Sequence, residues 1–388
     1  MTVLVYFLLG ISVLAGNYYK FSFFSPDVRV SLLDLSVTLI TVISLRRNYI
    51  SAIKQFRHLT KPILMFFSVS LLSLIPAYFN YGQTAALVGL MYSFRWFIYS
   101  LFFVSLYLLH IPVKNLIVLI SGILISTGLL QYFFVPDTRF LFTLGWDDHF
   151  NRVVGTILDP GFLGLLYVFI LLYTKNKALW ISAFIALLLT YSRASYVAFL
   201  AGFAFSKKTF IKILLLLTVT VTLLPRPAGD GVKLERLYSV FSRFDTWRQA
   251  VRIFADHPVL GVGFNVYRYA QRDYGFNTDP KWLVSHANAG SDSSLLFVLA
   301  TTGVIGFVAY LWYLYQLTTH NPQLTTTIVA LLVHSFFLNS LFYPFVLLWL
   351  ALLTADNLQP APSPSGSQPH LPRQFSADSR QKPAVPAI

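Results

Sequence analysis

The chain has 388 residues, of which 56% are hydrophobic and only 11% charged, and its mean hydropathy is +0.64. A soluble domain carries about a quarter charged residues, so this composition excludes an ordinary soluble fold and indicates an integral membrane protein. The net charge of +14 does not point to nucleic acid, because the basic residues are divided among short loops rather than gathered on one face, and the absence of cysteine excludes disulfides, thiolate metal sites and a cysteine nucleophile.

Taken in chain order, the first apolar stretch, at 3–16, lacks a basic flank and a small-residue cleavage site, and is read as a retained span rather than a signal peptide. Further apolar segments fall at roughly 30–45, 62–79, 85–109, 113–134, 160–173, 178–191, 194–206, 210–224, 293–316, 325–339 and 341–355. Several are shorter than the ~20 residues that cross ~30 Å of hydrocarbon, so the pairs at 178–206 and 325–355 have the lengths of re-entrant or broken helices. The expected fold is an all-α integral membrane protein of about 12 transmembrane helices with one large outward-facing loop.

Orientation follows from charge. No acidic residue occurs between Leu35 and Val135, while Arg46, Arg47, Lys54, Arg57 and Lys61 share one short loop, which places that loop in the cytoplasm. Lys114, Lys175, Lys177, Lys207, Lys208 and Lys212 then fall on the same side, and both termini are expected to be cytoplasmic. The expected organisation is an N-terminal transmembrane bundle over 1–224, an outer-face loop over 225–292, C-terminal transmembrane helices over 293–356 and a Pro/Ser/Gln-rich disordered tail over 357–388. No internal repeat is visible.

The loop over 225–292 predicts a helix over 234–256, where Leu237, Val240, Phe244, Trp247, Val251 and Phe254 recur every three or four residues and Asp256-His257-Pro258 stops the pattern. Arg236 and Arg243 flank one edge of this stripe, and Arg248 and Arg252 the other. An interfacial helix whose arginines snorkel to lipid headgroups would look the same. Tyr267, Tyr269, Tyr274, Phe276 and Trp282 in the same loop suit either sugar stacking or an aromatic belt, and Gly261-Val-Gly263 is read as a turn.

Four features outside that helix call for a chemical reading. Arg193, in Tyr191-Ser192-Arg193-Ala194-Ser195, interrupts two apolar runs on the side where a positive charge is disfavoured, so it is either a snorkelling arginine or a guanidinium aimed at an anion. Arg95 poses the same question inside a span, where it either pairs with a buried acid or carbonyl or serves function. Arg152 opens Arg152-Val-Val-Gly155, followed by Asp159-Pro160, in which Asp159 is expected to cap a helix with Pro160 at its first position. Asp292 opens the next apolar segment, as an N-cap or as a reactive carboxylate.

Together the Arg152–Pro160 segment, the Ser192-Arg193 turn, RFDTWRQAVRIFADHPVLGVG at 243–263 and DSSLLFVLATTGVIG at 292–306 resemble the O-antigen polymerase and O-antigen ligase superfamily. The resemblance covers roughly 150–310. It implies a bacterial inner-membrane glycosyltransferase acting on undecaprenyl-pyrophosphate-linked glycans, without a cofactor. It also implies that Arg193 and one or more of Arg243, Arg248 and Arg252 hold the donor pyrophosphate, with Arg152 a further candidate. In the ligase branch a His-Asn pair opens the span that ends in Gly-x-x-Gly. Counting back from Gly303-Val-Ile-Gly306, Asp292 and Ser293 stand in those places, a departure that favours polymerase-like members, with His286 as a substitute base.

The chemistry is compatible with those residue types. A sugar on a polyprenyl pyrophosphate is already activated, so the protein must neutralise the leaving diphosphate, deprotonate an acceptor hydroxyl and align the two sugars. Arginine suits the first task through bidentate, permanent charge; Asp292 or His286 suits the second. No Asp-x-Asp pair or His/Asp cluster suggests a metal. The expected partners are the lipid-linked oligosaccharide, membrane lipids and other polysaccharide-assembly proteins, with no nucleic acid. Two further readings are a ligase that moves the glycan to a lipid or protein acceptor, and a flippase or transporter. The latter is disfavoured by charge placed at the interface rather than the midplane and by the lack of repeats.

Overall fold

The computed structural model describes residues 1–283, 290–319 and 322–359, and Met1–Leu358 form one compact unit. Among the described residues, fifteen helices make up most of the chain. They are α1 (Thr2–Ala15), α2 (Leu32–Ser44), α3 (Tyr49–Gln55), α4 (Arg57–Leu72), α5 (Leu74–Leu108), α6 (Val113–Phe134), α7 (Pro160–Tyr173) and α8 (Lys177–Leu188). After these come α9 (Arg193–Gly202), α10 (Lys207–Leu223), α11 (Tyr238–Asp256), α12 (Tyr267–Asp273), α13 (Ser294–Thr318), α14 (Pro322–His334) and α15 (Pro344–Leu358). The expected tail over 357–388 lies almost wholly outside the described residues.

Three helices, α5, α6 and α13, are long and apolar enough to cross a membrane. The remaining apolar helices among the described residues run from 10 to 17 residues, too short to span ~30 Å of hydrocarbon alone. The segments expected at 62–79 and 85–109 are redistributed. α4 ends at Leu72, and the 35-residue stretch of α5 is interrupted at Gly82, whose φ of +86° is non-helical, so two helical pieces meet there across a kink.

A hairpin of β1 (Lys20–Phe23) and β2 (Ser25–Ser31) between α1 and α2 departs from the all-helical expectation. Ser31 ends it and begins α2 through a capping box, its hydroxyl accepting from the Asp34 amide while Asp34 accepts from the Ser31 amide. The turn before the hairpin is clasped from afar. Asn17 donates to the Ile157 carbonyl at 2.7 Å and to the Tyr343 hydroxyl at 2.6 Å, and its amide donates to the Thr156 carbonyl at 2.8 Å.

The second organising feature lies in α13. Gly303 breaks its helical geometry with φ at +63°, which frees backbone groups about 15 Å along the helix from its start. The segment between α11 and α12 takes them up: Val262 and Gly263 donate to the Ala300 and Thr301 carbonyls at 3.0 Å each, and Val304 donates to the Pro258 carbonyl at 2.8 Å. The Phe264 amide donates to Ser73 Oγ at 2.9 Å, where α4 gives way to α5. Irregular backbone is tolerated among spanning helices only when satisfied in this way, so Gly261-Val-Gly263 is a lock as well as a turn.

A Cβ at Gly303 would fall on the Val259 carbonyl, whereas one at Gly82 would meet nothing within 4 Å. Both positions carry the positive-φ cost of about 1–2 kcal/mol for a non-glycine residue. Gly303→Ala should therefore lower thermal stability in detergent by clearly more than Gly82→Ala. Equal shifts would show that the α13 junction tolerates rearrangement.

Candidate functional site

Of the polar residues singled out from the sequence, Arg95, Asp159 and Asp292 line one cavity of about 340 Å³, whereas Arg152, Arg193, Arg243, Arg248 and Arg252 lie outside its lining. Its walls come from the hairpin, the first turn of α2, α5, the segment before α7, α12, the entry to α13 and the segment between α14 and α15. The charged side chains lining it divide into two groups.

The first group surrounds the hairpin. Arg95 of α5 bonds Asp34 Oδ2 at 2.5 Å and the Arg29 carbonyl, so the intramembrane arginine pairs with both a buried acid and a backbone oxygen. Asp34 is engaged on both oxygens, accepting also from the Ser31 hydroxyl at 2.8 Å and the Tyr99 hydroxyl at 3.0 Å. Lys20 lies 4.4 Å from the Trp146 ring centroid. Burial, with Arg95 and Arg29 nearby, lowers its pKa to about 7. Asp27 accepts from the Tyr269 hydroxyl at 3.0 Å and attracts Arg268 of α12, whose guanidinium donates to the Leu283 carbonyl.

The second group surrounds the entries to α7 and α13. Asp159 caps α7 as expected, accepting from the Gly161 and Phe162 amides at 2.7 and 2.9 Å, with Pro160 at the first helical position. Asp292 does not cap α13. Ser293 does, accepting from the Leu296 amide, which leaves Asp292 to accept from Thr246 Oγ1 of α11 at 3.1 Å. Burial raises the Asp292 pKa above the ordinary carboxylate value, while Thr246 and Arg243 pull it back. His286, the alternative base, lies outside the described residues.

α11 runs from Tyr238 to Asp256 and ends at His257, four residues shorter at its start than the predicted helix. Its two arginine edges separate. Arg243 is half-buried, sits 5.8 Å from the Phe337 ring centroid and feels both Asp292 and Arg193. Arg248 is exposed and faces Asp245 at 3.6 Å, and Arg252 is exposed with its guanidinium 5.9 Å from the Phe276 ring centroid. Leu237, Phe244 and Val251 of the predicted stripe are exposed, whereas Ala250 and Ile253 are fully buried. That exposed apolar face fits an interfacial helix.

Arg193 donates from Nη1 to the Leu234 and Arg236 carbonyls at 3.0 and 2.8 Å, which ties the Ser-Arg turn to the strand of chain leading into α11. Arg236, noted in the sequence only as an edge residue, lies within the fields of Arg193 and Arg243. Arg193, Arg236 and Arg243 thus form a basic cluster beside Asp292. Arg152 is buried and donates Nε to the Thr190 carbonyl at 2.9 Å, so its guanidinium holds the turn before α9. Burial, then Arg236, lowers its pKa to about 10, which leaves it charged at neutral pH.

Two histidines were not legible in the sequence. His149 Nε2 is buried without a hydrogen-bond partner, and burial with Arg152 and Arg236 lowers the His149 pKa to about 3. His334 is buried at the end of α14, with Nδ1 2.7 Å from Ser340 Oγ and Nε2 3.4 Å from Ser195 Oγ; Ser195 in turn donates to the Gly161 carbonyl. A lone histidine carries no spacing signal, so neither could be found by pattern. Of the loop aromatics, Tyr267 is fully buried, and the Tyr274 hydroxyl donates to Asp256 at 2.7 Å. Among the described residues no group of three or more His, Asp or Glu could hold a metal ion.

The cavity is lined by the capping carboxylate of Asp159 and by Asp292, which caps no helix, and the cluster of Arg193, Arg236 and Arg243 adjoins it through the attraction between Arg243 and Asp292. Residues 161–311 match the O-antigen ligase family. The resemblance to the O-antigen polymerase and ligase superfamily is borne out over that segment. O-antigen ligases are membrane glycosyltransferase-like enzymes acting on lipid-linked glycan. The match takes in Arg193, Arg236, Arg243 and Asp292 but not the hairpin or Arg95. No curated protein matches the chain.

Arg152→Ala would leave the Thr190 carbonyl unpaired at a buried site, a loss of about 1–3 kcal/mol. We expect a lower thermal midpoint and yield, with the substrate KM of the surviving folded fraction unchanged. A normal midpoint with a raised KM would instead give Arg152 a direct part in substrate binding.

Proposed function

We propose that this chain is a polymerase-type glycosyltransferase that joins undecaprenyl-pyrophosphate-linked oligosaccharide repeats at the outer face of the bacterial cytoplasmic membrane, without a metal. The observation that carries this reading is Asp292. Its helix is capped by Ser293, so capping does not account for it, and it lines the cavity beside Arg243. A raised carboxylate pKa suits a base that must take a proton from a sugar hydroxyl near neutral pH.

In this mechanism Arg193, Arg236 and Arg243 stabilise the diphosphate as it leaves the anomeric carbon, and Asp292 accepts the proton of the attacking hydroxyl. Arg248 and Arg252 are weaker candidates for the phosphate because they are exposed and lie outside the cluster around Asp292, and Arg152 because its guanidinium is buried against the Thr190 carbonyl. A ligase would share the donor and differ in the acceptor. The aspartate where the ligase branch has histidine favours the polymerase; a deletion strain should accumulate single-repeat glycan, whereas unattached long chains would indicate a ligase.

The about 12 crossings, the outer-face loop over 225–292 and the cytoplasmic termini form part of the same proposal, supported by the acid-free basic loops. Alkaline phosphatase fused near Asp279 should be active. An inactive fusion there beside an active one near Lys54 would reverse the topology.

Asp292→Asn keeps the size of the side chain but cannot accept a proton. Turnover by the purified protein should fall about 10²-fold or more while lipid-linked donor still binds. In the wild type, turnover should fall with decreasing pH at a higher pH than an ordinary carboxylate would give, because Asp292 is active only when ionised and its pKa is raised. Near-normal turnover of Asp292→Asn would remove it from the mechanism. Arg243→Ala should weaken donor binding by more than Arg248→Ala or Arg252→Ala; the opposite order would transfer the phosphate to the other edge of α11.

A further inference from the structure

The cationic end of the cavity takes no part in the mechanism above. Lys20, Arg29, Arg95 and Arg268 face Asp27 and Asp34 there, a surplus of two positive charges when all four bases are protonated. A second opening meets this end. Between α2 and α5 runs an apolar groove of about 560 Å³, lined by Leu35, Thr38, Leu39 and Val42 on one side and Leu90, Phe94 and Ile98 on the other. Groove and cavity share Asp34, Tyr92 and Arg95, so an apolar channel along the flank of the protein ends at a basic pocket. From Asp34 to Val42 it extends about 12 Å along α2, enough for the first few isoprene units.

We propose that the α2–α5 groove and the hairpin pocket form a second lipid-diphosphate port, in which a polyprenyl chain lies along α2 and α5 and its diphosphate rests at Lys20, Arg29 and Arg95, separate from the arginine cluster at α11. This rests on the polymerase reading above, in which donor and acceptor both carry a polyprenyl diphosphate. The occupant is chosen by charge and shape. A glycosyl polyprenyl diphosphate carries two negative charges, which match the surplus, and only a lipid anion can fill the groove and the pocket together. Its glycan would then lie in the cavity that Asp292 lines. Arg95 has a double part, since its bonds to Asp34 and to the Arg29 carbonyl also hold the hairpin that completes the pocket. Lys20, held near half-protonation by burial and by Arg95 and Arg29, would gain a proton when an anion binds.

The test is native mass spectrometry of the full-length protein in detergent with undecaprenyl diphosphate. The wild type should bind two molecules. Lys20→Gln removes a charge from the pocket, and Thr38→Trp fills the groove from an exposed position on α2 without touching the cavity. Each should lower the affinity of one of the two molecules at least tenfold. Arg243→Ala should remove the other molecule, and Arg243→Ala combined with Thr38→Trp should remove both. A single bound molecule, lost in Arg243→Ala and unaffected by Thr38→Trp, would overturn the second port while leaving the donor assignment intact. A single molecule lost in Thr38→Trp and retained in Arg243→Ala would support the port and refute the donor assignment. Displacement from the Thr38-sensitive position by an equal concentration of phosphatidylglycerol would identify the occupant as bulk phospholipid and also overturn the proposal.

Discussion

Backbone polar groups cannot remain unpaired among membrane helices, and in this chain that rule is met at one junction on which the site depends. The break at Gly303 would leave α13 with two free carbonyls and a free amide. The Pro258–Gly263 segment supplies the missing partners, so the loop enters the helical core instead of crossing above it. This fixes α11 on one side of the junction and α12 on the other. α11 brings Thr246 and Arg243 to Asp292, and α12 brings Arg268 and Tyr269 to the hairpin. Ser73 extends the same lock to the start of α5, the helix that carries Arg95.

What was legible in the sequence was what depends on neighbours in the chain. Asp159-Pro160 announces a capped helix entry, and the 3.6-residue period of 238–256 announces a helix, because both are set within one or two turns. What was not legible depends on partners far apart. Arg95 has to meet Asp34 and the Arg29 carbonyl, 61 and 66 residues away, and nothing local distinguishes that outcome from a ligand site. The arginines of α11 divide because only one edge of the helix is turned toward Arg193 and Asp292, and helical periodicity gives two edges without saying which one is covered. Asp292 was ambiguous because aspartate and serine are both good caps and they stand side by side; the register of α13 decided for Ser293. The hairpin was missed because alternation over four residues, as in Lys20–Phe23, is too short to stand out beside two apolar helices.

Arginine serves three different purposes within this one region. Arg152 is a brace, buried with its charge directed at backbone carbonyls. Arg95 is both brace and wall, with one guanidinium nitrogen on a carboxylate and a carbonyl and the side chain lining the cavity. Arg236 and Arg243 sit in each other's fields at the edge of an acidic centre, an arrangement that gains from a bound anion. An excess of basic residues that would read as nonspecific stickiness in a soluble protein is thus divided by depth and by partner.

The clasp at Asn17 has a consequence for assembly. Its side chain reaches Ile157 and Tyr343, residues 140 and 326 positions later, and the cavity takes its walls from residue 17 through residue 344. Contacts of such sequence separation form late, because the entropy of closing the chain must be met before they contribute. The bonds from Asn17 to Thr156 and Ile157 need only the first half of the chain, whereas the bond to Tyr343 waits until the segment before α15 has been made. A chain interrupted between Asp292 and Tyr343 would hold both groups of charges without the wall that joins them, so synthesis itself keeps a partly made protein from presenting a completed cavity.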